Sequence, residues 1–235
     1  MTPSLVAGFL RILTGAQPRW VGCEPHPRPR VYFANHCSHL DGPTIWSVLP
    51  PEIRPLARPV AARDYWSAGR MRRYLATQIF NAILIERKMP TRTDNPIDDM
   101  LRGMGDRGSV ILFPEGTRSS GPDPAPFKSG LFHIVKKRPD LELVPVLLDN
   151  MNRMLPKGEL LPVPLICSVT FGAPITLPDG ESRDGFLERA RQAVIDLRQF
   201  NTRTSSVTAP TSNSIEASQD AVTPNPAPSP PGTPS

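Results

Sequence analysis

Short apolar runs rich in β-branched or aromatic residues recur along the chain, at Val31 to Ala34, Ala82 to Ile85, Val110 to Phe113, Leu143 to Leu148 and Leu165 to Phe171. Runs of this kind read as strands buried on both faces. Between several of them lie longer periodic segments, Arg70 to Phe80 and Asn95 to Met104, and a last helix carries Phe186, Leu187, Ala190, Val194 and Leu197 on one side. Strands alternating with helices predict an α/β fold, a single domain whose largely parallel central sheet is flanked by helices. In such a sheet ligands gather at the loops beyond the strand ends. The Pro-rich stretches Pro50 to Pro59 and Gly121 to Pro126 read as ordered loops within that domain.

The two ends of the chain differ from its middle. Leu5, Val6, Phe9, Leu10, Ile12, Leu13 and Ala16 recur at helical spacing opposite Ser4, Gly8 and Arg11, which predicts an amphipathic N-terminal helix within residues 1–20. Such a helix can lie in a bilayer interface or pack on the domain, and its periodicity serves both. Residues 201–235 are mostly Thr, Ser, Ala, Pro and Asn with no aromatic side chain, too little apolar surface to offset the entropy of ordering, so a disordered C-terminal tail is expected. The folded domain is therefore expected over residues 21–200.

The charge favours an anionic partner. Of 27 Lys and Arg against 22 Asp and Glu, the tail holds only Arg203, Glu216 and Asp220, which leaves 26 against 20 for the rest. Net charge alone does not choose among phospholipid head groups, nucleic acid and phosphorylated small molecules. Cys23, Cys37 and Cys167 are odd in number and lack CxxC spacing, which argues against a disulfide framework or structural zinc and fits a reducing compartment. No run of about 18 uncharged apolar residues is present, and no export signal is recognisable at the start.

Two constellations follow directly on predicted strands. Asn35-His36-Cys37-Ser38-His39-Leu40-Asp41-Gly42 comes after Val31 to Ala34. A carboxylate bonded to one nitrogen of a histidine leaves the other free to accept a proton, and His36 with Asp41 can supply that pair if the loop turns back. His36, His39 and Asp41 could also be metal ligands, although the spacing typical of zinc hydrolases is missing. Phe113-Pro114-Glu115-Gly116-Thr117-Arg118-Ser119 follows Val110 to Phe113. There Gly116 permits close backbone approach, Thr117 and Ser119 add hydroxyl donors, and Arg118 offers a fork matched to phosphate oxygens. Arg87 beyond the strand Ala82 to Ile85, and Lys128 beyond the Pro-rich loop, would complete a phosphate pocket.

Taken in order, NHCSHLD, Ile85-Glu86-Arg87, FPEGTRS and Val144-Pro145-Val146 resemble the four sequence blocks of the glycerolipid acyltransferases, most nearly the bacterial 1-acylglycerol-3-phosphate acyltransferases. The resemblance runs from about Arg30 to Gly172 and makes 21–200 an acyltransferase domain. It implies His36 as general base and Asp41 as its orienting partner. Arg87, Gly116, Thr117, Arg118 and Lys128 then hold the substrate, with Glu115 shaping that pocket. It implies acyl-CoA or acyl carrier protein as donor, lysophosphatidate as acceptor, phosphatidic acid as product, no metal or other cofactor, and no nucleic acid. Attachment is expected to be peripheral, at the cytoplasmic face of the membrane, through the N-terminal helix and the basic, aromatic-bearing run Arg54, Arg58, Arg63, Tyr65, Trp66, Arg70, Arg72, Arg73. The same blocks serve acyltransferases for lyso-ornithine lipids and other lysophospholipids. A membrane- or nucleic-acid-binding module without activity is the non-enzymatic alternative. A nucleophilic Cys37 or Ser38 is the covalent one, and the chain has no GxSxG elbow to support it.

Overall fold

The computed structural model describes residues 2–86, 95–119, 121–149 and 167–201. Arg87, Leu165, Ile166 and the expected tail from residue 202 onward lie outside them.

Seven strands form one sheet: β1 (Gln17–Trp20), β2 (Arg30–Ala34), β3 (Ala57–Ala62), β4 (Ile83–Ile85), β5 (Ser109–Leu112), β6 (Glu142–Asp149) and β7 (Ser168–Phe171), in the order β1-β7-β6-β2-β5-β3-β4. Every neighbouring pair is parallel except β6 with β7. The predicted α/β fold with a largely parallel sheet is thus the one observed.

Helices cover both faces. α1 (Pro3–Thr14) and α2 (Asp41–Val48) lie on one, and α5 (Pro96–Met104), α6 (Gly130–Lys137) and α7 (Arg183–Asp196) on the other, with the short α3 (Arg63–Trp66) and α4 (Arg70–Tyr74) following β3. The period of two along β2 divides the core. Tyr32 and Ala34 join Ile45, Trp46 and Phe171 on the first face, while Val31 and Phe33 join Leu131, Ile134 and Phe186 on the second. Local signals set the helix ends. Pro3 opens α1 and Gly15 closes it at φ 56°, a conformation that costs glycine little. The Asn95 side chain caps α5 by accepting from the Ile97 amide, and Ser182 caps α7 by accepting from the Gly185 amide.

Two strands were not evident in the sequence. β1, Gln-Pro-Arg-Trp, is an edge strand held only by β7 and has almost no apolar run to reveal it. β3 takes up Ala57 to Pro59 at the end of the Pro-rich stretch expected to be a loop, which corrects that expectation for those three residues. Ala57 to Pro59 register with β5 and Val60 to Ala62 with β4, so the amide that Pro59 lacks falls where the strand changes partner.

The geometry gives part of the basic run a structural role. Arg54 is buried and donates to the Ser47 and Leu49 carbonyls at the end of α2, with its guanidinium over the Trp46 ring. Arg58 donates to the Asn81 and Gly103 carbonyls, and Arg63 to the Leu84 carbonyl. Arg54 and Arg58 thus close helix and loop ends, where unpaired carbonyls need donors, and Arg63 serves a carbonyl of β4. Exposed guanidinium groups with no carboxylate partner among the described residues remain at Arg70, Arg72 and Arg73.

Candidate active site

β2 and β5 are parallel neighbours at the middle of the sheet, with Phe33 opposite Leu112, so their carboxyl ends bring the two constellations together. The chain leaving β2 goes to α2 on one face, and the chain leaving β5 goes to α6 on the other. Such a divergence opens a crevice at the strand ends.

The histidine loop is anchored at its start and folded back at its end. Asn35 extends the sheet by one side chain: its Oδ1 accepts from the Leu148 amide at 2.8 Å and its Nδ2 donates to the Leu148 carbonyl at 3.0 Å. Asp41, the first residue of α2, is 0% exposed. Its Oδ2 accepts from the Cys37 amide at 2.7 Å, the Ser38 amide at 2.8 Å and His36 Nδ1 at 2.8 Å. Because a carboxylate only accepts, this contact places the imidazole proton on Nδ1 and leaves Nε2 with a free lone pair. The His36 ring is held from the side by Phe113, stacked at 4.3 Å and 22°. A histidine fixed in that tautomer can take a proton from a hydroxyl, with the buried carboxylate beside it as counter-charge.

The second loop is tied to the first by the chain itself. Glu115 is buried, its Oε1 accepting from the His36 amide at 2.7 Å and its Oε2 from the Ala125 amide at 2.8 Å. The Ser119 amide donates to the His36 carbonyl at 2.8 Å, and the Lys128 amide to the Pro114 carbonyl at 2.9 Å. Glu115 therefore lies beneath the site as a brace joining the histidine loop, its own loop and the Pro-rich segment. Each amide it satisfies would cost about 1–3 kcal/mol if left buried and unpaired.

Above the brace the surface is open and positive. Gly116, Thr117, Arg118 and Lys128 are all exposed. Gly116 stands at φ 68°, and a Cβ there would fall 2.7 Å from Lys128 Nζ, so the lysine side chain crosses directly over the glycine. Arg118 has no carboxylate partner among the described residues. Arg87 lies outside them, so its place relative to this cluster is not described.

Other chemistries fit the geometry poorly. Burial, and then the Asp41 charge, push the Cys37 thiol far above the usual range, which disfavours the thiolate a nucleophile requires. Ser38 is buried, and its Oγ accepts from the Leu40 amide at 3.2 Å. His39 turns to stack on Tyr65 at 4.1 Å and 4°. Among the described residues no three His, Cys, Asp or Glu side chains gather where they could hold a metal ion. Asn35 and the inward faces of Glu115 carry no distinguishing signal in sequence beyond their places in the two blocks.

Comparison with known proteins gives the same arrangement a family. The 1-acyl-sn-glycerol-3-phosphate acyltransferase of Limnanthes alba is 25% identical over 182 residues, covering 74% of this chain and 60% of that protein. The enzyme of the same name from Escherichia coli K12 is 27% identical over 137 residues, covering 53% of this chain and 51% of its own length. The chain thus aligns with only part of the length of these relatives. The crystal structure of the 1-acyl-sn-glycerophosphate acyltransferase of Thermotoga maritima superposes with a TM-score of 0.67 at 17% identity, over 86% of this chain and 80% of the other, a likeness of fold. The family model described as Acyltransferase matches residues 19–149, the span from β1 through both loop constellations to the end of β6, and the chain belongs to that family.

Proposed function

We propose that this chain transfers a fatty acyl group from acyl-CoA or acyl carrier protein to the free sn-2 hydroxyl of 1-acylglycerol 3-phosphate, giving phosphatidic acid. The observation that carries the proposal is the buried Asp41 carboxylate bonded to His36 Nδ1 at 2.8 Å, with Arg118, which has no carboxylate partner among the described residues, on the adjoining loop. Family membership and the names of the relatives support it.

In the proposed reaction His36 Nε2 removes the hydroxyl proton as that oxygen attacks the thioester carbonyl. Asp41 stabilises the imidazolium, and collapse of the tetrahedral intermediate expels the thiolate, which takes the proton back from His36. The new ester replaces the old thioester with no acyl-enzyme between them. Arg118, with Thr117 and Lys128 nearby, provides charge for the acceptor phosphate. Replacing Arg118 with alanine is expected to raise the KM for lysophosphatidate by the loss of a charged hydrogen bond, about 1.5–3 kcal/mol or roughly ten- to a hundredfold. An unchanged KM would remove Arg118 from the acceptor site.

Attachment at the membrane surface belongs to the same proposal. α1 packs Val6, Ala7 and Leu10 on the domain but leaves Leu5, Phe9 and Ile12 at 66%, 59% and 86% exposure. These three form an apolar stripe at i, i+4 and i+7, of the kind that enters a bilayer interface. No helix among the described residues is long and apolar enough to cross a membrane. Replacing all three with serine, at positions where surface changes cost within about 0.5 kcal/mol, is expected to release the protein from anionic phospholipid vesicles in a flotation assay while its melting temperature stays near wild type. Undiminished flotation would assign attachment to another surface.

A further inference from the structure

Arg72 is a cation beside the site that belongs to none of the four sequence blocks. The His39 imidazole, three residues from His36, stacks on Tyr65 of α3, and the Arg72 guanidinium of α4 lies over the same Tyr65 ring at 4.7 Å. Trp66 meets Tyr65 edge-on at 5.7 Å and Phe80 at 6.3 Å, which ties the column to the core. The histidine loop, α3 and α4 are thereby joined at the mouth of the crevice.

Stacking on an aromatic face holds a guanidinium in place without neutralising it. Arg72 is exposed and has no carboxylate partner among the described residues, and the same is true of Arg118. Burial, followed by the charges of Arg118, His36 and Arg72, holds the His39 imidazole below the usual range, with Asp41 as the opposing group. Arg72 and Arg118 thus leave positive charge at the rim that no described carboxylate pairs, a field suited to an anionic ligand.

We propose that Arg72, seated on Tyr65, is a phosphate-binding residue at the rim of the site. The identity of the phosphate rests on the acyl-transfer reading, in which the acceptor carries a phosphate monoester and acyl-CoA carries nucleotide phosphates. A planar guanidinium presents paired donors to either.

The test uses the full chain, with Arg72→Gln and Arg72→Lys. Steady-state kinetics vary lysophosphatidate and acyl-CoA in turn, and the His39 imidazole resonance is followed separately while glycerol 3-phosphate or CoA is added. Arg72→Gln is expected to raise the KM for one of the two substrates roughly ten- to a hundredfold, with a much smaller change in kcat, and Arg72→Lys to recover part of the loss. A rise for lysophosphatidate assigns the acceptor phosphate, and a rise for acyl-CoA assigns the donor's. Unchanged KM for both, or a fall in kcat alone, overturns the proposal. If the wild type acylates nothing, the functional reading fails instead and the resonance decides: a His39 shift that Arg72→Gln abolishes supports the rim, and no shift with either compound overturns it.

Discussion

Replacing His36 with alanine is expected to lower turnover by roughly 10²–10⁴, the contribution typical of a positioned general base. The KM for both substrates should change little, because in the proposed reaction the imidazole acts on the transferring proton and the charged groups proposed to hold phosphate lie on other segments. The fold should tolerate the change. The Asp41 carboxylate keeps its two amide donors from Cys37 and Ser38, and the Glu115 brace grips the His36 backbone, which alanine retains. Steady-state rates with a labelled acyl thioester, measured beside a thermal melt, check both parts. Wild-type turnover in a folded His36→Ala protein would remove this histidine from the chemistry.

Asp41 is expected to behave differently because its carboxylate serves structure and chemistry together. Alanine at this position orphans the Cys37 and Ser38 amides and the His36 Nδ1–H group, each costing about 1–3 kcal/mol where it cannot reach water. The sum is a large part of the roughly 5–15 kcal/mol that stabilises a typical domain, so Asp41→Ala should be strongly destabilised. Asparagine is the discriminating variant. Its amide oxygen can still accept from the loop, so stability should fall much less, but the negative charge beside the forming imidazolium is gone. Turnover of Asp41→Asn should drop by roughly 10²–10⁴ while its denaturation midpoint stays well above that of Asp41→Ala. Equal losses of stability in the two variants, with turnover retained by asparagine, would make Asp41 a loop anchor alone.

The sequence made the sheet legible where strands are buried on both faces, because burial forces an apolar run, and both loop constellations sit at the ends of such runs. It concealed β3, where Pro59 mimics a loop signal and only the change of partner from β5 to β4 makes proline acceptable. β1 was concealed because an edge strand needs few apolar residues. Part of the basic run was hidden for a related reason: the inward turn of Arg54 and Arg58 onto carbonyls depends on chain ends brought together by tertiary structure. Glu115 and Asn35 show the same limit at the site itself. Their motif marks them, but that one braces three loop segments and the other continues the pairing of β2 with β6 is visible only once β2, β5 and β6 lie side by side. Arg87, named with them from sequence, lies outside the described residues.

The central claim is acyl transfer to a phosphate-bearing lyso-lipid, and product analysis tests it most directly. Purified protein would be given labelled acyl-CoA or acyl carrier protein with lysophosphatidate, a lyso-ornithine lipid or a lysophospholipid of larger head group, each separately in detergent, and the ester identified by mass spectrometry. The expected result is phosphatidic acid from lysophosphatidate, absent with His36→Ala and weaker or absent from the other acceptors. No ester from lysophosphatidate with either donor would contradict the account.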